Sequence, residues 1–319
     1  MKAIQQQTST QVRVIAIILL FIAIIAGSWI SIFFRLLERE IGPFATAFHR
    51  VGIATLLLGI WTGQQALSSK LSQEKLSLDP SPYTSWVIIL LLIAGMSCAG
   101  DQVFWALSLT KTSVANSTLL TNLAPLWTTI LSWLIWGKHF DKRFLIGMIV
   151  AIVGASILGV EDVKVATETL QGDGIAILAS ICFSVYLLVV EKLRESLRAD
   201  AILFWSSLFS ALSILPIVLI MEERLFPYTL ESWVFVILLG LICQILGQGL
   251  LNYSLQHLSS GFVAISLLLL PIMTTIFAWV IFSESLSVLN AVAFAIVLLG
   301  IYLANSSSSA VKESTSEIS

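Results

Sequence analysis

Two charged residues, Arg50 and Asp101, stand inside apolar runs long enough to cross a lipid bilayer. An ionisable side chain at that depth costs about 2.5–3.5 kcal/mol on insertion scales unless it is paired or wet. Arg50 lies about six residues, or ~9 Å at the helical rise, inside the outer end of its run. Asp101 lies at a similar depth in the next run, in a layer that also holds Trp29 and Trp105. Two roles are open to such a pair. It can close on itself as an ion pair that fixes helix packing. Alternatively, both groups line a cavity, with the guanidinium facing a carboxylate or phosphate of a ligand and Asp101 acting as counter-ion or proton carrier.

Uncharged polar groups extend the pattern. Ser97, Asp101 and Trp105 are four apart and stack on one side of a helix, and Gln244, Gln248 and Asn252 repeat that spacing in a later apolar run. Amides there make interhelical hydrogen bonds worth about 0.6 kcal/mol each, or line a cavity. Asn122 is a further candidate. Pro125 and Pro271 sit near the middle of their runs, where each removes a backbone hydrogen bond and kinks the helix, as a gating pair would. The substrate-binding set is thus Arg50, Asp101, Trp29, Trp105, Gln244, Gln248, Asn252 and Asn122. Catalytic, cofactor and metal sets are empty. His49, His139 and His257 have no ligand spacing, and neither a His-Glu-x-x-His, a nucleophile elbow nor a phosphate-gripping loop is present. Cys98, Cys182 and Cys243 lie singly in separate runs, as small core residues do.

The elements that must position these groups are membrane helices. The chain is 57% hydrophobic and only 11% charged, which suits a lipid solvent. Its net charge of −2 gives no reason to expect nucleic acid. Apolar runs of spanning length fall at about 14–34, 44–62, 86–109, 113–136 and 144–160, then about 173–190, 201–221, 233–255, 260–282 and 287–304. The fold class is all-α integral membrane with ten transmembrane helices. The first run is too long for a cleaved signal, residues 63–84 read as a solvent loop, and 306–319 as a disordered tail. Lys and Arg gather on the side of both termini (Lys2, Arg13, Lys142, Arg143, Arg194 and Arg198 among them), which predicts cytoplasmic termini in the cell's inner membrane. Gly147, Ala151, Ala155 and Gly159 form a small-residue stripe for helix packing, within the chain or in a homodimer.

The chain also repeats itself. Ser108–Gly154 aligns without a gap on Ser254–Gly300, pairing Pro125 with Pro271 and Thr128-Thr129-Ile130-x-x-Trp133 with Thr274-Thr275-Ile276-x-x-Trp279. The repeats are about 15–160 and 172–305. Each holds an odd number of spans, so the second is inverted relative to the first, as in secondary transporters that bind substrate near the midplane between the halves. Inverted repeats also occur in channels. A passive channel and an integral membrane enzyme acting on a lipid or metabolite are the alternatives.

These motifs resemble the EamA family of drug/metabolite transporters, twice over. The first copy reads Leu123-Ala124-Pro125-Leu126, Trp136-Gly137-Lys138-His139-Phe140 and Leu145-Ile146-Gly147 to Gly154. The second reads Leu269-Leu270-Pro271, Ser283-Glu284-Ser285-Leu286 and Gly300, and Pro43 with Arg50 fits the family's second span. The family's usual acid after the fourth span is replaced by Lys138, whereas Glu284 is kept. The resemblance implies ten helices, a central cavity and export or exchange of small metabolites such as amino acids. Protons are the candidate coupling ion.

Overall fold

The computed structural model describes residues 2–71, 83–112, 114–160, 170–222, 224–283, 287–307 and 309, with side chains from residue 11 and outside 65–71, 114–116 and 158–160. The described residues are helical throughout their long elements. These are α1 (Lys2–Leu37), α2 (Pro43–Leu71), α3 (Ser85–Leu109), α4 in two pieces (Val114–Thr121 and Ala124–Trp136) and α5 (Lys142–Val160). The second set is α6 (Leu170–Leu193), α7 (Ala199–Met221), α8 (Leu230–Ser254), α9 in two pieces (Ser260–Ser266 and Leu269–Phe282) and α10 (Val288–Asn305). Nine of them are long and apolar enough to span a membrane among the described residues. Helix α5, with Lys142 and Arg143 at its start, completes the tenth position and pairs with its repeat counterpart α10. Helix α2 continues to Leu71, so the expected solvent loop begins later than residue 63, and 72–82 lie outside the described residues.

Local chemistry sets the ends. Thr84, Ser259 and Ser287 each cap a helix by accepting a backbone N–H (of Val87, Phe262 and Asn290). Gly137 ends α4 in the left-handed region at φ 63°, and the repeat-equivalent Ser283 ends α9 there at φ 57°. Asp173 lies in the first turn of α6 and accepts a 2.7 Å bond from Thr112 in the α3–α4 turn.

The halves interlock. Helix α1 lies along α8 and the second piece of α9, while α6 lies along α3 and the second piece of α4. The repeat exchanges these two sets of contacts, and α2 with α7 and α5 with α10 pair directly. The small-residue stripe of α5 meets α10 of the same chain, where a Cβ on Gly147 would stand 2.5 Å from the Ala304 nitrogen and 2.6 Å from the Gly300 oxygen. Side-chain surroundings of Gly159 lie outside the described residues. Arg13 donates to the backbone and side-chain oxygens of Asn305, tying the start of α1 to the end of α10. Ser307 and Ser309, at the head of the expected tail, bond to Asp141, and 310–319 lie outside the described residues.

The core divides along the membrane normal. A larger apolar cluster around Leu20, Phe144, Tyr186, Leu193, Leu255 and Phe262 fills the end near the termini. A smaller one around Phe33, Phe44, Ile214 and Leu239 packs one side of the opposite end. Beside that smaller cluster the molecule is hollow.

Candidate substrate cavity

The broken helices shape the hollow. A proline has no N–H for the carbonyl one turn earlier, so α4 and α9 both open just ahead of their prolines, at 122–123 and 267–268. The sequence predicts kinks at Pro125 and Pro271; each site is a full interruption, with a two-residue turn between helical pieces. Irregular backbone at membrane depth is tolerated where it lines a cavity. Both prolines line a cavity of about 1010 Å³ between the halves. Arg35, Glu38 and Thr110, from the ends of α1 and α3 remote from the termini, form its rim.

Arg50 and Asp101 both face this space, and no ion pair joins them. The Arg50 Nε–H donates to Gln244 Oε1 at 2.8 Å, and Gln244 Nε2 donates in turn to Ser207 Oγ at 3.2 Å. These partners belong to α8 and α7, so the second half grips the guanidinium of the first. Its two terminal nitrogens have no hydrogen bond among the described residues and Arg50 lines the cavity, although the residue is only 8% exposed. Asp101 is half-buried in the same wall.

Of the other sequence candidates, Trp105, Gln248 and Asn122 line the cavity. Trp105 stands edge-on to Phe34 at 5.5 Å, and the Asn122 amide nitrogen is buried with no partner. Three candidates lie elsewhere. Trp29 packs behind the wall against Phe277, 5.0 Å between centroids. Gln244 is 1% exposed and spent on Arg50 and Ser207. Asn252 accepts from the buried Tyr186 hydroxyl at 2.9 Å. The equal four-residue spacing of the three amides does not place them on one cavity wall: Gln248 lines the cavity, Gln244 turns to Arg50 and Ser207, and Asn252 to Tyr186. Gln102 also reaches the cavity. Its amide nitrogen donates to the Cys98 carbonyl, and its Oε1 is buried without a partner. Nothing in its spacing marked it, because it neighbours Asp101 off the stripe.

Beside the rim the two halves are braced. Glu222, after α7, accepts from the Phe44 and Ala45 amides at 2.7 and 3.0 Å and so caps α2, the helix that carries Arg50. Gly42 leaves room for it, since a Cβ there would overlap the carboxylate. Burial pushes the Glu222 carboxyl above its ordinary value, against the pull of those two N–H groups. Glu40 accepts from the Thr229 hydroxyl at 2.6 Å and from the Thr229 and Tyr228 amides, which hold its carboxyl down at about 2.

Both copies around this cavity match one family model, over residues 14–160 and 170–306. The chain belongs to the EamA-like transporter family. It is similar to an uncharacterized transporter of Archaeoglobus fulgidus, 23% identical over 283 residues that cover 87% of this chain and 92% of the relative. It is also similar to the uncharacterized transporter YetK of Bacillus subtilis, 27% identical over 60% of each chain. A thiamine-repressible mitochondrial transport protein of Saccharomyces cerevisiae is 29% identical over 36% of this chain and 34% of its own. One solved crystal structure superposes with a TM-score of 0.74 at 18% identity, covering 92% of this chain and 97% of the other, and so shares the fold. The protein is a multi-pass membrane transporter, which the family places apart from enzymes.

Proposed function

We propose that this EamA-like protein is a secondary transporter that exports or exchanges small polar metabolites, such as amino acids, by alternating access between its two repeats. The observation that carries the reading is a basic and an acidic side chain, Arg50 and Asp101, lining one cavity with no ion pair between them. A salt bridge would satisfy both. Held apart, they suit a ligand that brings its own carboxylate and ammonium, which repays the cost of keeping charges at membrane depth. Gln248, Asn122 and Trp105 supply further polar and aromatic contacts, and Asp101 is the proposed proton carrier. Gln244 serves as a positioning residue that aims the terminal nitrogens of Arg50 into the cavity. The turns at Pro125 and Pro271 are proposed as the gating pair. The basic loops favour the cell's inner membrane with cytoplasmic termini, so that the cavity faces outward.

A channel is the second reading. The cavity rim lies on one side, while the opposite end is filled by the larger apolar cluster, which favours a carrier. Proteoliposomes loaded with a labelled amino-acid mixture test the proposal. Saturable efflux that a proton gradient or counter-substrate accelerates is the expected result; unsaturable conductance would establish the channel instead.

A further inference from the structure

The end of the molecule near the termini is closed by more than apolar packing. Glu191, near the end of α6, is 3% exposed, and its Oε1 accepts a 2.7 Å bond from Lys138 Nζ in the α4–α5 loop. Its Oε2 accepts the Ser260 amide at 3.2 Å, the first N–H of α9. One carboxylate therefore joins a lysine of the first repeat to the start of the second repeat's broken helix, where the helix dipole favours negative charge. The piece of α9 that it holds, Ser260–Ser266, is buried along its whole length. It packs against the second piece of α4 and against α6. Around it, Ser259 Oγ donates to the Ser309 carbonyl at 2.9 Å. Ser307 Oγ donates at 2.6 Å to Asp141, the cap of α5. The α4–α5 loop, the end of α6, the start of α9 and the chain end after α10 are thereby stitched at one point.

We propose that Glu191, Lys138 and the Ser260 amide form an inner latch whose opening exposes the central cavity on the side of the termini. This rests on the alternating-access reading. A buried carboxylate that loses a charged partner costs free energy, so removing Lys138 weakens the closed inner end. Lys138 stands where the family resemblance leads one to expect an acid. In this chain the lysine supplies the positive charge that the buried Glu191 requires. The conformation, unlike transport, can be read without knowing the substrate.

The test uses full-length protein in oriented membrane vesicles, with Cys98, Cys182 and Cys243 replaced by alanine and one reporter cysteine added. Thr118→Cys lies on the cavity wall, and Ser266→Cys lies in the buried piece of α9. A membrane-impermeant maleimide is applied from either side. In the parent, Thr118→Cys is expected to label quickly from the side away from the termini, and Ser266→Cys slowly from the side of the termini. Glu191→Gln, and separately Lys138→Gln at the half-exposed partner, should raise the Ser266→Cys rate roughly tenfold and lower the Thr118→Cys rate. Lys138→Arg, which keeps the positive charge toward Glu191, should keep the parent rates. If the parent shows slow inner labelling that both glutamine variants leave unchanged, the latch is overturned while alternating access stands. If Ser266→Cys never labels in any of these backgrounds, both are overturned.

Discussion

The first piece of α4 and the first piece of α9 occupy equivalent places in the two repeats, yet they live in opposite surroundings. Thr118 and Thr121, on Val114–Thr121, line the cavity and are half-buried, whereas every residue of Ser260–Ser266 is buried and of these only Ala264 reaches the cavity wall. Both are short, end in a two-residue turn and lead to a proline. Their composition differs, polar in Val114–Thr121 and mostly apolar in Ser260–Ser266. The partners differ as well: α9 begins on Glu191 and packs under Phe140 and Phe144, while α4 turns Thr118 and Thr121 to the cavity. A difference between two near-copies within one chain is what the proposed alternating access calls for. The opposite state would follow if the copies exchanged surroundings.

The contrast can be broken most severely at the charges between the two pieces. Arg50→Ala and Asp101→Asn should each reduce saturable efflux by roughly a hundredfold, with normal amounts of protein in the membrane. Undiminished efflux in both would return the two residues to a packing role. Next in size is a direct exchange of bulk. Gly261→Leu would press on Phe144, whose ring already stands 3.0 Å from where a Cβ would lie, and should cost about 1–3 kcal/mol of stability in a melting experiment. Thr118→Leu, facing open space, should leave the melt unchanged and raise KM instead. If the two variants behave alike, the asymmetry between the pieces is not a property of the protein.

A smaller effect separates the two glutamines of α8. Gln244→Leu strips the acceptor from Arg50 Nε and should raise KM about tenfold with little change in maximal rate, because the guanidinium loses its aim but not its charge. Gln248→Leu removes a cavity amide and should change the preference among substrates more than the affinity for all of them. The smallest effect is pH-dependent and sits at the brace beside the rim. The folded-state value of Glu222 is raised, so its contribution to stability is present at low pH and is lost as pH rises from the ordinary 4.5 through the raised value. Wild-type protein should therefore lose melting temperature relative to Glu222→Gln as pH rises across that window.

How much of this was legible in the residues follows from the price of polarity in lipid. Arg50 and Asp101 were conspicuous because a charge at bilayer depth needs a reason, and the structure places both in one wall. The paired prolines, threonines and tryptophans revealed the two repeats because such matches are rare in an apolar chain. Spacing failed where residues on one stripe meet different partners, as Gln244 meets Arg50 while Gln248 meets the cavity. It also failed where a polar residue is spent on another far along the chain, as Asn252 is on Tyr186 and Glu191 on Lys138. A single sequence does not show such partners, because they meet only when the repeats fold against each other.

Paired spin labels on both ends of one molecule test the central idea most directly. One pair, at Thr110 and Val288, spans the rim side; the other, at His139 and Arg198, spans the latched side. On addition of the amino acid found to be carried, alternating access requires the first distance to shorten in the same population in which the second lengthens. Distances that change in the same sense, or a second distance fixed while transport proceeds, would contradict it.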